Sequence, residues 1–179
     1  MKGIVFNLLE QIVSAKFGDD TWDTLLKQAK VSGIYTSLGS YPDDDLNRLV
    51  EAASKLLSVP AQEVLRLAGR EALPLLAMRY PQFFSPHKST REFVLTLNSI
   101  IHPEVRKLYP GADVPEFEFD TSRQDVLVMV YRSARRMCAF AEGLIEGAGV
   151  QYQESVTIEQ PKCMLRGDSE CEMHLRFAA

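Results

Sequence analysis

Cysteine is scarce and odd in number. Three thiols in 179 residues cannot pair off, which excludes a disulfide framework. Positive charge is short as well: 20 Lys and Arg stand against 24 Asp and Glu, for a net charge of −4 and a pI of about 5.4. That balance leaves no basic footprint for nucleic acid. No apolar run reaches membrane-spanning length, so no membrane insertion is expected. The opening stretch is broken early by Asn7, Glu10 and Gln11, unlike a secretory leader. The expected compartment is the cytoplasm, where cysteines are reduced, metal-bound or redox-active. No nucleophile–base pair, phosphate loop or paired-carboxylate motif stands out, so enzyme activity is not expected.

What is present changes period along the chain. A hydrophobic share of 46% is enough for one core with room for a buried ligand, and residues 1–179 suit a single domain. Val5, Leu8, Leu9, Ile12 and Val13 form one face of a first helix, ended near Gly18. Trp22, Leu25, Leu26 and Ala29 belong to a second, ended by Gly33. Asp43 to Asp45 predict a capped, dipole-matched start for a third. Pro60 suits the first turn of a fourth helix through about Leu67. Gly69 and Pro74 punctuate a further helical stretch over about 70 to 79. The next helix runs from about Thr90 to Ile101 and delivers His102.

Beyond that point the spacing becomes that of strands. Phe117 and Phe119 alternate with acids, Asp125 to Arg132 is a second strand, and a helix follows over about Arg135 to Gly147. Ser155 to Met164 and Cys171 to Phe177 read as a hairpin around Arg166-Gly167-Asp168-Ser169. The expected fold is α+β. A helical part over about 1–65 is followed by a part over about 66–179 that carries a small antiparallel sheet.

Three histidines occur. His87 lies in a polar loop and is expected to be exposed; His174 falls on the charged face of the last strand. His102 follows the apolar run Phe93 to Ile101, so its turn lies against the core. Pro103 has no N–H, so the helix is kinked or restarted at the histidine. Taken alone, a core histidine is more often hydrogen-bonded than ligating. Tyr131, Ser133 and Arg135 close the apolar strand Val126 to Val130 and are spaced by two, so on extended backbone they point the same way. They offer a guanidinium fork and two hydroxyls suited to carboxylates. Taken alone, that spacing is more often a strand end meeting solvent. Together the two features match what haem requires: an axial ligand for iron, and partners for two propionates on an apolar disc.

With the other motifs in order, the chain resembles the haem nitric oxide/oxygen-binding (H-NOX) family, bacterial relatives of the sensor domain of soluble guanylate cyclase. The resemblance rests on Met1-Lys2-Gly3, the His102 helix, Leu108-Tyr109-Pro110, Val114-Pro115-Glu116-Phe117, Tyr131-x-Ser133-x-Arg135 and Gly143-Leu144-Ile145-Glu146-Gly147. It implies haem b between a helical distal part and an α/β proximal part. It implies His102 as the iron ligand, Tyr131, Ser133 and Arg135 on the propionates, and Pro115 pressing the porphyrin out of plane. Val5, Leu9, Leu73, Leu76, Phe140 and Leu144 would wall the pocket. Oxygen-binding relatives carry a tyrosine five residues after the arginine of the motif; here that residue is Phe140, which implies a nitric oxide receptor that discriminates against oxygen, with carbon monoxide as a surrogate. Nitric oxide would release His102 and change the surface shown to a separate partner, a sensor histidine kinase or a cyclic-di-GMP enzyme.

Cys138, Cys163 and Cys171 are a second constellation. Cys163 and Cys171 flank the hairpin turn, and Cys138 lies on the helix after the motif. Structural zinc almost always takes four ligands. Some family members supply a histidine shortly before the first hairpin cysteine; here Ile158 to Lys162 contains none, which leaves Glu159, Gln160, His174 or water. Zinc, a thiol redox switch (with Lys162 and Arg166 favouring thiolate) and inert cysteines stay open. The tail Cys163 to Cys171 also looks like that of vinyl-reductase-like small-molecule-binding domains, which would make the protein a haem-free binding module or a zinc/thiol redox sensor.

Overall fold

The structure is a computed structural model and describes residues 1–178. Helices α1 (Gly3–Phe17), α2 (Asp19–Ala29) and α3 (Asp43–Leu57) pack around Phe6, Trp22, Leu25, Leu46 and Leu49. Phe6 stacks on Tyr35 with centroids 4.0 Å apart, which seals this cluster. The expected aspartate cap on α3 is not made: Pro42 occupies that position, and Asp43 to Asp45 lie inside the first turn, where their charge still matches the dipole.

Helix α4 (Ala61–Arg79) is continuous, which corrects the expected break near Gly69 and Pro74. The reason lies on helix α7 (Cys138–Tyr152). A Cβ at Gly147 would lie 2.6 Å from the carbonyl oxygen of Arg70, the group that Pro74 leaves without its helical N–H. A Cβ at Gly69 would lie 2.3 Å from the Phe140 carbonyl oxygen, and one at Gly143 2.0 Å from that of Arg66. Small residues on both helices let the backbones touch, and Arg66 Nε donates to Glu146 at 3.0 Å across the crossing. The division near residue 65 therefore falls inside one helix.

Four antiparallel strands, β1 (Glu116–Asp120), β2 (Leu127–Arg132), β3 (Ser155–Lys162) and β4 (Cys171–Ala178), form a sheet of order β1-β2-β4-β3. Leu127, Met129, Cys171, Met173 and Leu175 are fully buried on its inner face, under α4, α7 and α5 (Thr90–Leu95). The helix after the motif begins at Cys138 rather than near Arg135, because Arg136 takes a left-handed conformation (φ 51°) that interrupts the chain. Among the described residues no helix is long and apolar enough to cross a membrane.

Candidate functional site

The helix that begins at Thr90 does not run evenly to His102. After α5 the chain makes a π-helical turn over Leu97–Ile101, and α6 (His102–Leu108) starts at the histidine. The N–H of His102 bonds the carbonyl of Leu97, five residues back. Pro103 has no N–H to restore the tighter register, so the expected restart at His102 takes the form of a π-turn, a feature often found at functional sites. Asn98 Nδ2 donates to the Phe117 carbonyl at 2.6 Å, which ties this turn to β1.

The imidazole of His102 is half-buried and stacks on Phe117, centroids 5.4 Å apart and planes 26° from parallel. Burial, and then the charge of Arg106 one turn on, push its pKa down to about 4, and no hydrogen bond to another described residue enters that balance. The ring is therefore neutral near pH 7, the form that ligates a metal. It opens into a cavity of about 450 Å³. Ile4, Val5 and Leu8 of α1, Leu73 and Leu76 of α4, and Phe140 and Leu144 of α7 face it. Phe84, Phe93, Leu97 and Ile101 close the other side. The wall is almost wholly apolar.

Arg135 stands at this cavity's rim with Met1, Lys2 and Asp113. Its Nε donates to Asp43 Oδ2 at 2.7 Å, and its Nη1 to the carbonyl of Asp113 at 2.6 Å and that residue's Oδ2 at 3.0 Å. Asp43 also takes the α-ammonium of Met1 at 2.5 Å. Burial would push the Asp43 carboxyl up, but the hydrogen bonds from that ammonium and from Arg135 outweigh it and hold it below the usual range. A guanidinium paired with carboxylates at the mouth of an apolar cavity suits an anionic group on the occupant. The apolar walls, the neutral imidazole without a hydrogen-bond partner among the described residues, and this guanidinium together fit haem.

Several expected placements change. β2 ends at Arg132, so Ser133 and Arg135 lie in a turn and do not share a strand face with Tyr131. Tyr131 is buried opposite Phe117 and Cys171, and its hydroxyl accepts from the Met137 N–H at 3.1 Å. Ser133 Oγ accepts the N–H of Arg135 at 3.2 Å. Leu9 does not face the His102 cavity: it lines a small apolar space with Trp22, Leu25 and Leu49 on the other side of α1. Pro115 lies in a shallow polar groove with Asn98, Arg106 and Glu118, on which the other edge of His102 opens. His87 is not fully exposed; it meets the edge of Phe93 and lies 3.4 Å from the Thr96 hydroxyl.

The placement of three residues around the site was not legible in the sequence. Phe117 alternated correctly as a buried strand residue, yet nothing in the alternation placed it on His102. Tyr80 and Tyr109 line the cavity and hydrogen-bond each other through their hydroxyls, although they lie 29 residues apart.

The cysteines do meet. All three are buried, and their Sγ atoms lie within 4.8 Å of one another. Cys138 Sγ and Cys163 Sγ lie 3.7 Å apart. Cys171 Sγ accepts the Met164 N–H at 3.3 Å. Burial, then neighbouring thiols, push Cys138 up; burial also raises Cys171. The expected help from Lys162 and Arg166 is absent, because Lys162 pairs with Glu172 at 2.8 Å and Arg166 donates to the Gln160 carbonyl at 2.6 Å. Among the described residues no fourth His, Cys, Asp or Glu joins the cluster. Glu159 pairs with Arg176, and His174 with Glu172.

Comparison with known proteins gives one consistent result. A family model described as Haem-NO-binding matches residues 2–160. An H-NOX protein from S. oneidensis in the Fe(II)NO ligation state is similar over 100% of both chains, at 30% identity and a TM-score of 0.94. The Fe(II) unliganded H-NOX protein from K. algicida is 28% identical with a TM-score of 0.89, over 100% of this chain and 97% of that one. The IWP-051-bound H-NOX from Shewanella woodyi, in the Fe(II)CO ligation state, is 33% identical with a TM-score of 0.84, over 98% of this chain and 94% of that one.

Proposed function

The chain belongs to the Haem-NO-binding family, and on that premise we propose that it is a cytoplasmic haem-based nitric oxide sensor that discriminates against oxygen, catalyses nothing itself and regulates a separate signalling partner. The observation that supports this best is a neutral imidazole with no hydrogen-bond partner among the described residues, opening into an apolar cavity of about 450 Å³. The occupant would be haem b, with His102 on its iron and Arg135, backed by Tyr131 and Ser133, at its propionates. When bound, haem would supply a ferrous iron that takes nitric oxide; His102 would hold that iron and would be the residue released on signalling.

The chain's own residues are built for such a release. The π-turn and Pro103 leave the backbone before and after His102 short of regular helical bonds, so that segment shifts at low cost. Phe117 guides the ring by stacking, and the groove that holds Pro115 offers open space on its outer side. Arg135 would exchange one carboxylate partner for a propionate. The helical part, about 1–65, would cover the gas side, and the part over about 66–179 would carry the change outward. A sensor histidine kinase or a cyclic-di-GMP enzyme would read it by binding the two surfaces unequally.

Gas selectivity would rest on Phe140, which faces the cavity and cannot donate a hydrogen bond. Purified ferrous protein should bind nitric oxide and carbon monoxide yet keep its argon spectrum in air. Phe140→Tyr adds a donor in nearly the same shape. It should raise oxygen affinity by roughly tenfold or less, the value of one neutral hydrogen bond. A stable oxygen-dependent spectrum in the unmodified protein would overturn the selectivity. A colourless protein, after expression with ample haem, would overturn the haem reading itself and favour the haem-free alternative.

A second reading has its own observation. Four bonds of about 2.3 Å in a tetrahedron set sulfur atoms about 3.8 Å apart, close to the 3.7 Å between Cys138 and Cys163. We propose a zinc site on Cys138, Cys163 and Cys171, completed by a ligand from outside this cysteine group. Metal analysis should find about one zinc per chain, and each Cys→Ser change should lower it. Without metal, peroxide should link Cys138 to Cys163, which mass spectrometry detects. Three independently alkylated thiols, with no metal before or after oxidation, would leave the cysteines inert.

A further inference from the structure

Helix α6 carries His102 at its first turn, yet none of its residues is fully buried. Arg106, Lys107 and Leu108 are exposed. At its N-terminal end it meets the π-turn, the least regular backbone near the site. At its C-terminal end the situation is reversed. Tyr109 leaves the helix (φ −127°, ψ 78°), while its N–H still bonds the carbonyl of Val105 at 2.8 Å. Its ring is only 6% exposed and packs with Ile4 and Leu8 of α1 and Ala72 of α4. Its hydroxyl hydrogen-bonds that of Tyr80, the residue that ends α4. Helix α4 is in turn clamped to α7 by the glycine contacts described above. One end of α6 follows an irregular turn held to β1 through the Asn98 side chain, and the other is tied to the closely packed α4–α7 pair.

We propose that the Tyr80–Tyr109 hydroxyl pair is the fixed end of a lever whose free end carries His102, which makes Tyr109 a positioning residue for the iron ligand. The proposal rests on the haem reading above. Tyr109 acts through α6. Holding the far end of a two-turn helix limits the arc that the imidazole samples and keeps it close to the iron after each detachment. The tether therefore favours the attached state by preorganisation, with no contact to the haem required. Burial, then the bond to Tyr80, raise the Tyr109 phenol above its ordinary value, so that hydroxyl keeps its proton near pH 7. Two phenols share two protons and one bond. Loss of either hydroxyl removes the same bond.

The test uses Tyr80→Phe, Tyr109→Phe and the double variant, all of which keep ring size and packing. In nitric-oxide-treated ferrous protein, absorption and resonance Raman spectra report the ratio of detached to attached His102. Each single variant should raise that ratio about fivefold, the worth of one hydrogen bond, and the double variant should raise it no further. In the haem-free protein, amide hydrogen exchange over residues 102–109 should quicken by a similar factor in all three variants. Unchanged ratios and unchanged exchange would overturn the tether. So would effects that add in the double variant, because then the two hydroxyls act separately. If the unmodified protein takes up no haem, the gas-sensor reading fails, and the exchange arm alone decides whether the tether exists.

Discussion

His102→Ala is expected to abolish stable haem retention, and added imidazole to restore part of it. The other two histidines cannot substitute: His87 is turned to Phe93 and Thr96, and His174 pairs with Glu172 on the outer face of the sheet. Alanine would leave an apolar cavity with no ligand for iron, and space where free imidazole fits. Burial of apolar surface alone would hold the macrocycle loosely, at about 25 cal/mol per Å² and without orientation. The check is Soret absorbance per chain after expression with ample haem, repeated with imidazole in the buffer. A fully loaded, spectrally unchanged His102→Ala protein would sink the assignment.

Gly143→Ala should be among the most damaging single methyl additions in the protein. The added Cβ would lie 2.0 Å from the carbonyl oxygen of Arg66 and 2.9 Å from the amide nitrogen of Arg70. Those are backbone atoms of α4 and cannot swing aside, so the two helices must separate. Overpacking of this kind costs about 3 kcal/mol, against about 1 kcal/mol gained in helix propensity. The net loss of about 2 kcal/mol lowers Tm by roughly 4–8 °C at this chain length. Phe140 and Leu144 flank Gly143 and line the cavity, so weaker haem retention should accompany the lower Tm. Gly167→Ala is the control. It has φ 103° and nothing within 4 Å of the added atom, so it pays backbone strain alone and should leave the cavity unaltered. An unchanged Tm for Gly143→Ala would mean that the helices are not in backbone contact.

The amino-acid pattern was a good guide wherever structure is local. The first three helices, the hairpin of β3 and β4 and the alternation of Cys171, Met173 and Leu175 follow from spacing alone, because a period of 3.6 or 2 is a property of neighbouring residues. The restart at His102 was legible for the same reason: Pro103 lacks an N–H wherever it sits. The break expected at Gly69 and Pro74 shows where local rules stop. Both residues disfavour a helix in isolation, yet here Gly69 and the Arg70 carbonyl that Pro74 leaves free lie against α7, and the contact partners lie some 75 residues away.

The sequence by itself determined an α+β fold, a histidine turned towards the core, a family, and Phe140 on the cavity wall. Only the tertiary structure decided which face of α1 meets that cavity, sending Val5 and Leu8 to it and Leu9 away. It alone joined Arg135 to Asp43 and Asp113, stacked Phe117 on His102, tied Tyr109 to Tyr80, and gathered three buried thiols from α7 and both sides of a hairpin turn. The physical reason is one of range. Dihedral limits, missing N–H groups and side-chain period act within a turn or two of chain. A partner for a hydroxyl, guanidinium or imidazole is set by whichever distant segment the packing of the core brings within about 3 Å.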